Sequence, residues 1–192
     1  MRFAFAALAL ALLALNAGAA TQAASKGEKP SRVAGVQAFE AIVPALRHPR
    51  CLVCHSKGDY PRQGDDLHPH IMDVRRGPKG DGAAPVHCST CHQDHNLQGL
   101  HMPPGAAEWH LPSPRDPMIW EGLTDRELCN LLVDPNRNGG RDAAAIERHM
   151  HTPLVLWGWH PGEGRTPEPM PENTFLQKVR VWTAAGVPCP AR

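Results

Sequence analysis

Two stretches of the chain carry the same chemical signature. His48-Pro-Arg-Cys51-Leu-Val-Cys54-His55 and His87-Cys88-Ser-Thr-Cys91-His92 both contain Cys-x-x-Cys-His. Two thiols three positions apart can reach both vinyl groups of one porphyrin and form thioethers. The residue that follows then lies beneath the metal as its proximal ligand. This is the attachment pattern of c-type haem. On this reading Cys51 and Cys54 hold one haem with His55 under its iron, and Cys88 and Cys91 hold a second with His92.

Two other chemistries use the same cysteines. Paired Cys-x-x-Cys is a tetrathiolate zinc pattern. Here, however, 33 residues separate Cys54 from Cys88, against the usual spacing of about 15–20. Zinc also gives no reason for a histidine after each pair. A disulfide within each pair would close a very small loop of the redox-active kind. Neither alternative accounts for an aromatic content of only 5%, whereas two large flat apolar cofactors would replace an aromatic core.

Each iron would have a sixth position. Methionine there raises the potential, histidine lowers it, and an open site permits small-molecule chemistry. The chain offers 12 histidines and 6 methionines. His70 and His149 are the distal candidates chosen. His87 and His95 are close in sequence to the second motif, which makes them poor candidates for the opposite face of its haem. His68 and His70 point the same way in extended chain, so one can ligate while the other meets a propionate. Arg75, Arg76 and Lys79 are either propionate partners or a solvated basic loop.

Cys129 and Cys189 fall outside both motifs. In an oxidising compartment the leading reading is a disulfide between them; the alternatives are buried free thiols, or a lipidated or intermolecular cysteine.

The elements that must position these groups are short. With 20 prolines and 17 glycines among 192 residues, against average usage of roughly 5% and 7%, the chain is loop-rich. One tyrosine and four phenylalanines argue against a sheet-dominated fold. The expectation is a mainly α, loop-rich, single domain over 36–192, wrapped around two covalent haems. Helical spacing runs from Val36 to Arg47, with Pro44 kinking or shortening it. Thr124 and Glu127 form a capping box ahead of Leu128, Leu131 and Leu132. Asp142 is placed to cap Ala143–Met150, and Asn173 to cap a last helix that stops at Gly186. The regions 56–86 and 93–118 read mainly as loop. Leu154–Trp159 is too short and apolar to assign by periodicity.

Residues 1–24 read as a signal peptide: Arg2, an apolar run from Phe3 to Leu15, then small residues, with cleavage between Ala19 and Ala24. The run falls short of the ~20 residues of a membrane span, although an uncleaved anchor is the alternative. Residues 25–35 read as a flexible lead-in. Export implies a periplasmic chain without a transmembrane helix in its mature form. A formal net charge of +1 argues against a nucleic-acid partner. No G-x-S-x-G, P-loop or dinucleotide fingerprint is present.

Beyond the haem motifs, several longer stretches resemble a bacterial family of exported dihaem proteins labelled isoquinoline 1-oxidoreductase subunit. They include HPRCLVCHSKGDYPRQGDD (48–66), PHIMDVRRGPKGDG (69–82), CSTCHQDHN (88–96), PPGAAEWHLP (103–112), MIWEGLTDRELCNLLVDPNRNGG (118–140), HMHTPLVLWGWHPGEGR (149–165) and the closing F…W…AGVPCP (175–190). The resemblance implies a small electron carrier, and the label implies partnership with a molybdenum hydroxylase that oxidises N-heterocycles or aldehydes. His70 and His149 sit in matching segments.

The function expected is a periplasmic dihaem cytochrome c that relays electrons between a dehydrogenase and a respiratory-chain acceptor, with no catalytic residues of its own. The alternatives are a haem enzyme with one open iron, peroxidase-like or reducing a nitrogen oxide, and a zinc-binding structural module.

Overall fold

The computed structural model describes residues 28–191. The segment read as a signal peptide, 1–24, lies outside the described residues. Within them the chain is mainly helical and loop-rich, with one two-stranded sheet. No described helix is long and apolar enough to cross a membrane.

Helix α1 (Arg32–Leu46) begins four residues before the sequence reading placed it, so the lead-in is shorter than expected. Ser31 supplies the reason: its Oγ accepts from the Ala34 N–H at 3.1 Å and caps the first turn. Pro44 does not shorten the helix, which continues to Leu46. One face carries Ala38, Phe39, Ile42, Val43 and Leu46 into the core. Burying each large side chain of this kind stabilises the fold by about 1.5–3 kcal/mol.

That face packs mainly against α6 (Glu172–Ala184). Phe39 and Trp182 meet with ring centroids 5.1 Å apart, and the Trp182 Nε1–H donates to the Pro188 carbonyl at 3.1 Å. Gly35 permits the approach: a Cβ there would lie 2.5 Å from the Ala185 Cβ. Asn173 does not cap α6. Pro171 occupies that position, its carbonyl accepting the first helical bond from the Phe175 N–H at 3.0 Å. Gly186 does end the helix. Its N–H bonds Thr183 O, and the Val187 N–H bonds Trp182 O, both at 3.0 Å, which makes a Schellman motif.

The two expected caps of the second half are present. Thr124 and Glu127 form a reciprocal capping box at the start of α3 (Asp125–Val133), and Asp142 caps α4 (Ala143–Met150). The Cys129–Cys189 disulfide, with 5.6 Å between Cα atoms, ties α3 to the C-terminal tail. Leu154–Trp159, left open by periodicity, forms one turn of α5 (Pro153–Leu156) and a 3-10 turn over Trp157–Trp159.

Between α2 (Pro49–Leu52) and α3 the chain is nearly all loop. The exceptions are a two-residue hairpin, β1 (Arg62–Gln63) on β2 (His68–Pro69), and 3-10 turns at Ile71–Asp73 and Cys88–Thr90. Buried Arg76 joins these loops: its Nη1 donates to Pro112 O at 2.7 Å and its Nη2 to Gly58 O at 3.2 Å. This side chain therefore serves the loops rather than a solvated basic surface. Gly80, at φ +85°, lets two strands of loop touch, since a Cβ there would sit 2.0 Å from Leu111 O.

Candidate functional site

Both Cys-x-x-Cys-His motifs adopt the same turn. At the first, the Cys54 and His55 N–H groups both donate to Cys51 O, each at 3.2 Å. At the second, Cys91 and His92 donate to Cys88 O at 3.2 and 2.9 Å. Residues three apart on such a turn share a face. The first motif is seeded by α2, where Pro49 opens the helix and the His48 Nδ1 accepts from the Arg50 N–H at 3.3 Å. The four thiols are free, so neither pair is closed by a disulfide.

The environments of the two motif histidines also match. The His55 Nδ1–H donates to Met118 O at 2.8 Å, and the His92 Nδ1–H donates to Pro104 O at 2.6 Å. A carbonyl can only accept, so the proton sits on Nδ1 and Nε2 keeps its lone pair. Burial pushes His55 down to about 3, the Met118 bond only partly opposing it. Burial likewise lowers His92. Both rings are therefore held neutral, with a ligand nitrogen available. Each lies against an indole: Trp120 on His55, with centroids 3.6 Å apart, and Trp109 on His92 at 4.6 Å, both pairs within 8° of parallel. Met118 stands at φ +47°, a left-handed conformation uncommon for a side-chain-bearing residue, and its carbonyl is the one that holds His55.

Three of the four thiols are held back as nucleophiles. Burial pushes Cys51 and Cys54 up to about 12 and raises Cys88. A reactive cysteine needs its thiolate, which burial disfavours at these three thiols. Nor is a tetrathiolate assembled, since among the described residues no three or more His, Cys, Asp or Glu side chains gather as a metal site.

The two motifs line different cavities. Cys51, Cys54 and His55 face one of about 350 Å³, whose walls include Trp120, His149 and Met150. Cys88, Cys91 and His92 face a larger one of about 680 Å³, bounded by His70, Trp109 and Trp157. Both volumes fall within the roughly 300–1,000 Å³ of small-molecule and cofactor sites. A partition of Arg50, Cys54, Trp109, His110 and Trp157 lines both.

His70 comes to His92 across the larger cavity, with ring centroids 6.0 Å apart. Two imidazoles on opposite sides of one metal ion need about 6 Å, given about 2 Å per bond and about 1 Å from nitrogen to ring centre. The His70 Nδ1–H also donates to a carbonyl, Ile71 O at 2.7 Å, so its Nε2 is free as well. His149 shares the smaller cavity with His55 and is driven down to about 4 by burial, then by the charges of Arg141 and His110. The residues present thus fit a covalently held macrocycle in each cavity: paired free thiols, a neutral oriented imidazole beside them, and a second imidazole in the same walls.

The sequence offers Trp109, Trp120, Trp157, Trp159 and Trp182 as packing residues, against a cofactor or each other; other contributors carry no such signal. The Met118 and Pro104 carbonyls carry no side-chain signal. Trp109 and Trp120 stack on the motif imidazoles, while Trp159 and Trp182 pack on Phe175 and Phe39. His110 and Arg50 were not among the candidates. Of the basic loop, Arg75 pairs with Asp73 at 2.5 Å, and Lys79 reaches the smaller cavity. His68 pairs with Asp66 at 2.6 Å.

No protein-family model, curated protein or solved structure matches the chain.

Proposed function

We propose that the chain is a periplasmic dihaem c-type cytochrome that carries electrons from a dehydrogenase to a respiratory-chain acceptor. The observation that carries this reading is the twofold recurrence of one microenvironment: the same Cys-x-x-Cys-His turn, followed by an imidazole anchored at Nδ1 to a carbonyl and pressed flat on an indole. When bound, each haem supplies one-electron chemistry. Cys51 and Cys54, and Cys88 and Cys91, would hold the two groups. His55 and His149, which share the smaller cavity, and His92 and His70, which share the larger, would supply the irons' protein ligands. The family resemblance supports a molybdenum hydroxylase as the electron donor.

A second reading, a haem enzyme with one open iron, draws on the smaller cavity. His110 and His149 both line it, and only one can ligate, which leaves an imidazole for proton transfer. Carbon monoxide added to the reduced protein separates the two: an unchanged Soret band supports the carrier, and a shifted band the enzyme.

The direct test is expression with the native leader in a host that matures c-type cytochromes. Pyridine haemochrome and intact mass should show two haems per chain. A colourless product at the bare polypeptide mass would overturn the proposal.

A further inference from the structure

Among the described residues, Arg50 is the only arginine or lysine in the partition between the two cavities. Its side chain is 1% exposed. Nη2 donates to Gly64 O at 3.0 Å and to the Asp65 carboxylate, and the guanidinium lies 5.6 Å from the Trp157 ring centre. Its Nε is buried without a partner.

Asp65 is an incomplete counter-ion. Its side chain is 45% exposed, and it also accepts from Thr166 through the backbone N–H at 3.2 Å and the hydroxyl at 2.5 Å. A guanidinium carries five donors. A buried cation whose charge is met only from the solvent side costs several kcal/mol unless a second acceptor reaches it. Gly64 and Asp65 both line the larger cavity, so Arg50 is tied to that cavity's wall, opposite in sequence to the thiols at 88 and 91.

We propose that Arg50 is a carboxylate-binding group of the larger cavity and that its ligand is a propionate of the haem held by Cys88 and Cys91. This rests on the dihaem reading and adds to it the residue that meets the cofactor's own charge. Arg75, Arg76 and Lys79, the sequence candidates for this role, are not tied to that cavity in this way. A fixed cation near an iron favours the reduced form, so Arg50 would hold the potential up.

The test uses the full haem-loaded chain. Haem content is counted first by pyridine haemochrome: a chain without haem defeats the dihaem reading itself. In a chain with two haems, Arg50→Gln should move at least one of the two reduction steps to lower potential. Arg50→Lys should recover most of that shift yet move the propionate-bending band in resonance Raman, because an ammonium keeps the charge and loses the fork. Potentials in Arg50→Gln equal to wild type would overturn the proposal. Should Arg50→Gln fail to fold, an unmoved propionate band in Arg50→Lys would do the same. Added acetate tests the source of the carboxylate: wild-type potentials should not respond, and a response would show that Arg50 takes a free acid rather than the cofactor's own group.

Discussion

The indole of Trp120 lies flat on the imidazole of His55, 3.6 Å between centroids and 4° from parallel. The same side chain belongs to the main core formed with α1, α3 and α6. One residue thus joins the helical half of the molecule to the orientation of a candidate iron ligand. Removing a buried tryptophan costs about 3–5 kcal/mol. The Trp120 Nε1 is buried without a partner, which places the loss near the lower end. Trp120→Ala should therefore lower stability by about 3 kcal/mol in a guanidinium titration followed by circular dichroism; a loss below 1 kcal/mol would detach His55 orientation from the core.

His70→Ala should turn one haem high-spin and leave the other unchanged, because the 6.0 Å pairing with His92 exists only in the larger cavity. His149→Ala should act in the same way on the other haem. Low-spin spectra in either variant would remove that residue as a ligand.

The Cys129–Cys189 bridge closes 60 residues of chain. On the chain-entropy account such a loop contributes about 4 kcal/mol. Cys129→Ala with Cys189→Ala should lower the melting temperature accordingly, whereas haem content should hold, since neither sulfur belongs to a motif. Loss of haem along with the bridge would contradict this separation.

Acid should weaken the fold through carboxylates held low in the folded chain: Asp66, bonded to His68, and the two that follow. Glu127 is held below its usual 4.5 by bonds from Thr124. Asp65 is held below 3.8 because Thr166, Arg50 and His48 outweigh the upward push of its own burial. The unfolded chain then binds more protons than the folded one in this range, so stability rises with pH there. The contribution is full above about 4.5 and is lost as pH falls through the lower folded values. Glu127→Gln should flatten the pH dependence of the melting temperature below pH 5; an unchanged slope would show that the capping box does not report on it.

Without cofactor, the two halves should part company. Residues 56–118 contain almost no regular structure and surround cavities rather than side chains of their own. Chain produced in a host that cannot attach haem should keep its helical circular dichroism but be cut first within 56–118 under limited proteolysis. Equal protection of that region with and without haem would contradict this.

What the sequence disclosed was what is local. A capping box needs only Thr124 and Glu127, and a C-terminal glycine only its own conformation, so α3, α4 and the end of α6 were legible. Asn173 misled because Pro171 already presents the carbonyl that starts α6. The start of α1 was hidden in a Lys, Gly and Ser-rich run that reads as a lead-in, although Ser31 caps it; Gly35 in its first turn is there for contact with Ala185 and Pro188, 150 residues away or more. The motifs themselves were plain; their settings were not, because His55 is anchored by a carbonyl 63 positions later. His70 was reachable through its spacing from His68, whereas nothing in sequence marked Arg50 as buried.

The thin partition of Arg50, Cys54, Trp109, His110 and Trp157 has a further consequence. With a haem in each chamber, as proposed, a charge entering one would be felt in the other across these few side chains. Two redox titrations so coupled behave like protons on a carboxylate dyad: the observed midpoints belong to the pair. For the dihaem protein proposed here, assigning one midpoint to each chamber would misdescribe two sites that fill together.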